Sequence, residues 1–215
     1  LRETERLYES RKSFHNRFEI FERSVRDITE QIEHNGQIQT TTWNQTFQRL
    51  QHTQKQLETI QPIMSTIRQE LIEFELSGLS KTDLQTIQNT FDILRQRINT
   101  YEAILQKRLD LLQRYEEHTK YSIEIRKKLQ QINDEIQQKQ QMKMNEIDLL
   151  KSELERYTND LRAIQSESNI LDRLMEESNT TIMDSTTNRN IFFVVEHRAI
   201  QNLVDTIDSK VCFIK

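Results

Sequence analysis

The chain reads as all-α: tandem three-helix antiparallel bundles joined by a continuous linker helix. Three observations carry that expectation. Only 2 Gly and 1 Pro occur in 215 residues, which leaves almost nothing for the turns of a sheet. Apolar residues recur at alternating steps of three and four along nearly the whole length, the rhythm of a buried helix stripe. The pattern also repeats itself after 107 residues.

Composition narrows the function classes. With 34% apolar and 30% charged residues and a mean hydropathy of -0.80, the chain is too polar for one large globule and too periodic for disorder. The scarcity of glycine removes Rossmann, P-loop and hydrolase folds, whose turns and phosphate cradles need it. Charge is balanced, 30 Lys+Arg against 34 Asp+Glu for a net -4, and the two signs interleave as on a solvated helix face. That leaves no basic footprint, so no nucleic-acid partner is expected. No run approaches the roughly 20 apolar residues of a membrane span, and the Ile191 to Val195 cluster is short. The single Cys212 has no internal disulfide partner, which fits a reducing compartment. Asn44-Gln-Thr46 and Asn179-Thr-Thr181 match the glycosylation sequon; in a chain this rich in Gln, Asn and Thr they read as coincidence. Beginning at Leu1 rather than Met, the chain is expected to be a fragment of something longer.

Taken in order, residues 1–12 are polar and helical, with Leu7 and Tyr8 as apolar markers. A strict stripe then runs through Phe14, Phe18, Phe21, Val25, Ile28 and Ile32 until His34-Asn35-Gly36 ends it. Thr42 followed by Gln45 has the capping-box spacing and predicts a second helix from Trp43. Its stripe is Trp43, Phe47, Leu50, Gln54, Leu57, Ile60, Met64, Ile67, Leu71 and Phe74. Pro62 falls inside, yet the stripe keeps phase across it, which predicts a kinked but continuous helix.

Ser77-Gly78 is expected to close this helix and Ser80-x-x-Asp83 to cap a long one reaching Gln140. Ile87, Phe91, Leu94, Ile98, Tyr101, Leu105, Leu112 and Tyr115 mark its first face. The step from Tyr115 to Tyr121 is one residue short of a heptad; the stripe then resumes through Ile125, Leu129, Ile132 and Ile136. A slip of one residue turns the face by about 100°, so the two halves are expected to bury against different partners. At 1.5 Å per residue such a helix measures on the order of 90 Å.

After a weak break at Met142 to Asn145, a fourth helix carries Ile147, Leu150, Leu154, Tyr157, Leu161, Ile164, Ser168, Leu171 and Met175. A polar loop is expected from Ser178 to Asn190, before a last helix with Phe193, His197, Ile200, Val204, Ile207, Val211 and Ile214. An offset of 107 takes Tyr8 to Tyr115, Phe14 to Tyr121, Phe18 to Ile125, Val25 to Ile132, Leu50 to Tyr157 and Leu57 to Ile164. In the third helix an offset of 106 takes Phe91 to His197, Leu94 to Ile200 and Ile98 to Val204. The period divides the chain into the end of a preceding unit (1–12), one full unit (13–118) and most of a second (119–215).

Three long amphipathic helices per period, the last continuing into the next unit, resemble the spectrin repeat over the whole chain. Phe91-x-x-Leu94 resembles the aromatic site of the family's third helix, with His197-x-x-Ile200 as its counterpart. Val25 and Ile132 stand near the family's first-helix tryptophan site, and Trp43 opens a second helix instead. This divergence is closer to the rods of nesprins, spectraplakins and dystrophin than to spectrin. The resemblance implies a structural rod or spacer within a large cytoskeletal linker, an elongated monomer in the cytoplasm and cytoskeleton. It also implies docking of actin or other cytoskeletal proteins, and tethering to the outer nuclear membrane through parts of the protein outside this segment. The alternative is a coiled-coil adaptor that binds partners as a parallel or antiparallel dimer.

An enzyme is not expected, and no residue is assigned a catalytic, cofactor-binding or metal-binding role. His15 with Glu19, and Glu30 with His34, lie one helical turn apart, but two ligands do not make a metal site. His197 occupies a stripe position and reads as a partly buried histidine with a hydrogen-bond partner, with a pH-sensitive weak point as the sharper alternative. Phe14, Phe18, Phe21 and Trp43 read as core, and Cys212 as inert. The sequence assigns no binding surface.

Overall fold

The computed structural model describes residues 2–76, 81–138 and 144–213. Within them the protein is all-α with five helices: α1 (Arg2–His34), α2 (Trp43–Leu76), α3 (Lys81–Gln138), α4 (Met144–Glu177) and α5 (Phe193–Phe213). Three short strands interrupt the helices: β1 (Gln37–Gln39), β2 (Thr181–Asp184) and β3 (Arg189–Asn190). The chain divides into two compact units, Leu1–Leu109 and Asp110–Lys215. The expected caps at Ser77-Gly78 and Ser80, the break at Met142, the helix end at Gln140 and the stripe residue Ile214 lie outside the described residues.

In the first unit, α1 buries the six stripe residues from Phe14 to Ile32. Its ring row meets both other helices. Phe14 stacks edge-on against Phe74 of α2 at 5.0 Å, and Phe21 lies 6.0 Å from Phe91 of α3. Each buried phenylalanine stabilises the unit by roughly 1.5–3 kcal/mol relative to exposure. α2 passes unbroken through Pro62, which sits on the exposed face, where the Glu58 carbonyl deprived of its donor can meet water. The start of α2 differs from expectation. The Thr42 hydroxyl donates back to the Gln39 carbonyl, and the buried line runs through Thr46, Leu50, Thr53 and Leu57 rather than through Gln54. Thr53 tolerates burial because its hydroxyl donates to the Arg49 carbonyl at 3.0 Å.

In the second unit, residues 110–138 of α3 share one contiguous core with α4 and α5: Ile125, Leu129, Ile132 and Ile136 meet Leu154, Tyr157, Leu161, Ile164, Ile200, Val204 and Ile207. The polar stretch from Ser178 to Asn190 is not a plain loop. α4 ends in a Schellman cap, with Thr180 N–H donating to the Met175 carbonyl (2.8 Å) and Asn179 N–H to that of Glu176 (3.1 Å). Asn179 holds the left-handed conformation this cap needs, at φ 48°. Next comes a hairpin, pairing Met183 with Asn190 and Asp184 with Arg189. Asp184 organises its tip by accepting from Thr186 N–H (2.8 Å) and the Thr187 hydroxyl (3.0 Å), bonds that hold its carboxyl below the usual range. Asn188, at φ 52°, completes the turn.

The expected slip between Tyr115 and Tyr121 is corrected. Tyr121 is exposed, and burial passes instead from Leu112 and Tyr115 through His118 and Ser122 to Ile125. Those steps of three and four keep helical phase. The slip belongs to the apolar residues alone, because two polar side chains occupy the inward positions. Its supposed earlier copy differs as well, since Tyr8 is 65% exposed where Tyr115 is buried, and Phe14 is buried where Tyr121 is not.

Candidate functional site

Among the described residues no group of three or more His, Cys, Asp or Glu could hold a metal ion. His15 is exposed, and its would-be partner Glu19 pairs with Arg23. The His34 ring is occupied by the Glu30 backbone carbonyl, with Nδ1 at 2.8 Å, rather than by the Glu30 carboxylate. Phe14, Phe18 and Phe21 are core, Trp43 is half-buried at the head of α2, and Cys212 is an exposed free thiol. The three phenylalanines pack together as core. No described helix is long and apolar enough to cross a membrane.

Polar chemistry concentrates instead at two buried places. The first is the C-terminus of α1. A helix leaves its last four carbonyls without intrahelical donors, and three of them, those of Gln31, Ile32 and Glu33, find one here. The Glu30 carbonyl pairs with the His34 ring, and that of Gln31 accepts from the Asn35 amide at 2.8 Å. Glu33 accepts from Gly36 N–H at 3.2 Å, and Ile32 accepts from the Arg108 guanidinium of α3. One heptad earlier on α3, the Tyr101 hydroxyl donates to the Glu33 carboxylate, which raises the phenol's pKa. Arg108 is only 3% exposed, and burial lowers its pKa from the usual guanidinium value. A cation placed at the negative end of α1 is favoured by the helix dipole.

The second place is a polar layer in the second unit. His118 of α3 is 4% exposed; its Nε2 meets the Ser168 hydroxyl of α4 at 3.0 Å, while Nδ1 makes no hydrogen bond. Phe193, the first residue of α5, sets its ring edge-on to His118 (5.3 Å) and to Tyr115 (5.8 Å). Its backbone N–H donates to Asp172 Oδ1 of α4 at 3.1 Å, so Asp172 caps α5 from across the core. Burial pushes the His118 pKa down, and Glu167, the Ile164 carbonyl and Asp172 pull less strongly in the other direction. His197 is also buried here, at its stripe position on α5.

Beside this layer a groove of about 510 Å³ opens between α3 and α4, lined by Asp110, Arg114, Glu117, His118, Ile164 and Glu167. Its cation is committed. Arg114 donates to Asp110 at 3.0 Å and to both Glu167 oxygens at 3.0 and 3.3 Å, and these two partners, Glu167 foremost, raise its pKa. A wider depression of about 830 Å³ in the first unit is lined by polar residues, including Asp27, Glu30, His34, Arg49 and His52. Neither presents an aligned nucleophile and base.

Sequence reasoning missed Arg108, His118 and Ser122. Their signal was present as gaps: the apolar stripe steps seven residues from Leu105 to Leu112 and stumbles between Tyr115 and Tyr121, and these polar residues fill the missing inward positions. Compared with known proteins, the chain matches no family model, no curated protein and no solved structure.

Proposed function

We propose that the chain is a structural spacer: two spectrin-like three-helix bundles in tandem that share α3 as a continuous linker helix, within a larger cytoskeletal protein. The observation that carries this reading is the recurrence of burial at the sequence period. Phe18 and Ile125, Val25 and Ile132, Leu50 and Tyr157, Leu57 and Ile164 are buried pairwise, as are Phe91 and His197, Leu94 and Ile200, Ile98 and Val204. Two units that spend their apolar residues on equivalent internal positions, and keep charged residues paired along their helices, are suited to provide length rather than chemistry. The ion pairs Glu19–Arg23, Glu116–Lys120 and Glu124–Lys128 are of this surface kind, where solvent screens the attraction.

Light scattering combined with small-angle X-ray scattering tests the proposal. The expected result is a monomer of 26.0 kDa whose maximum dimension exceeds that of a compact globule of the same mass. A stable dimer would favour the coiled-coil adaptor and overturn the spacer. Docking to actin, which the spectrin resemblance implies, is a separate element of the proposal. Cosedimentation with filaments at low salt should pellet the chain, and its absence from the pellet removes actin as the partner of this segment.

A further inference from the structure

We propose that the second unit carries an acid-sensitive latch: protonation of His118, wedged between Ser168 of α4 and Phe193 of α5, releases the start of α5 and opens that unit while the first unit stays folded. The geometry sets the mechanism. A neutral ring engages the site through Nε2 on Ser168 and an edge-on contact to Phe193, leaving Nδ1 unpaired but uncharged. A second ring proton places a full charge in a position that is 4% exposed and gives Nδ1 a hydrogen to donate, where it makes no hydrogen bond.

The groups facing His118 determine where that charge can turn. On its own helix, Arg114 and Glu117 share its groove, and Arg114 is held by Asp110 and Glu167. From α4 come Glu167, already engaged by Arg114, and Asp172, already engaged by Phe193 N–H. From α5 comes His197, which acts against a charge on His118. The two carboxylates that attract a charge on the ring, Glu167 and Asp172, both already hold another donor, so turning either toward His118 competes with an existing bond. Taking Asp172 uncaps α5 at the residue whose ring packs on His118. The burial that dominates over these attractions lowers the pKa of His118, so the neutral form is the one that folds.

The sign is set by linkage. Below the unfolded value of 6.5 the unfolded chain binds a proton that folded His118 refuses, so stability falls with falling pH until the lowered folded pKa is reached. Within that window the opening constant grows about tenfold per pH unit. The first unit lacks this device, because its histidines, His15, His34 and His52, are all exposed.

Hydrogen exchange of the full chain at pH 7.5 and 5.5, corrected for intrinsic rates, tests the latch. Between pH 7.5 and 5.5 the α4 and α5 amides are expected to lose protection, by up to about tenfold, while those of α1 and the emission of Trp43, both in the first unit, hold steady. His118→Gln should abolish the response, and His197→Gln should retain it. Equal losses in both units, or an unchanged response in His118→Gln, would overturn the proposal. Should His118→Gln fail to fold, an NMR titration of the unaltered protein decides: the midpoint of His118 must lie below the ordinary value of 6.5, and titration at or above it refutes the latch.

Discussion

Replacing Arg108 by methionine isolates what the buried guanidinium does for the end of α1. Methionine keeps an unbranched apolar stem of similar reach, so packing is largely preserved while the donor and the charge are removed. A hydrogen bond from a charged donor is worth about 1.5–3 kcal/mol, and its loss leaves the Ile32 carbonyl unpaired inside the unit. Against this, the substitution removes a buried cation whose desolvation is visible in its lowered pKa. With the favourable dipole position added, the donor should prevail, for a net loss of about 1–2 kcal/mol. At roughly 4–8 °C per kcal/mol for a unit of this size, the first transition should fall by about 5–15 °C. The chain's single tryptophan, Trp43, lies in the first unit, so its fluorescence follows that transition separately from the helical signal of the whole. Urea and thermal melts read by Trp43 should shift together, and those of the second unit should not move. An Arg108→Met protein as stable as the parent, or more so, would mean that the guanidinium is a desolvation burden and not a clamp.

Three other substitutions have defined outcomes. Asn179→Ala should destabilise the second unit by about 1 kcal/mol, because alanine resists the left-handed Schellman position, whereas Asn179→Gly should be neutral or slightly stabilising; equal melting of both variants would refute the cap. A proline at Thr119, inside α3, should break the helical ladder at a cost of about 3 kcal/mol. If α3 couples the two bundles as proposed, this variant should move the transitions of the two units further apart; an unchanged separation would refute the shared-helix reading. Asp172→Ala should lower the exchange protection of the first turn of α5 several-fold at neutral pH, and unaltered protection there would show that Asp172 is not its cap.

The helices are legible in the sequence because their apolar spacing is long and regular: α1 and α2 end or begin where His34-Asn35-Gly36 and Trp43 indicate. What stays hidden is carried by polar residues in inward positions. Thr53 is invisible beside Gln54 because hydropathy cannot report a hydroxyl that donates to its own helix. His118 and Ser122 produce a false slip for the same reason, since a search for apolar residues steps over any inward residue that is polar. Asn179 stands out in the sequence only as part of a sequon, although an asparagine just past a helix end is also the residue most ready, after glycine, to take φ > 0. The hairpin escapes sequence reading because its strands have four and two residues and lack an alternating run. His197 is found as a stripe position; His118 is passed over, because an apolar stripe marks it only as a gap.

The brevity of β3 has a consequence of its own. A strand exposes a row of backbone donors and acceptors along any side it does not pair, and such rows recruit strands from other molecules. β3 offers two residues, both exposed, beginning with the charged Arg189 and succeeded directly by the turn into α5. An incoming strand would find too short a template and a cation to desolvate, so the hairpin can close off the end of α4 without becoming a seed for aggregation. Lengthening β3 with β-branched residues, or exchanging Arg189 for an apolar one, would turn a benign tip into a sticky edge at the concentrations where many copies lie side by side.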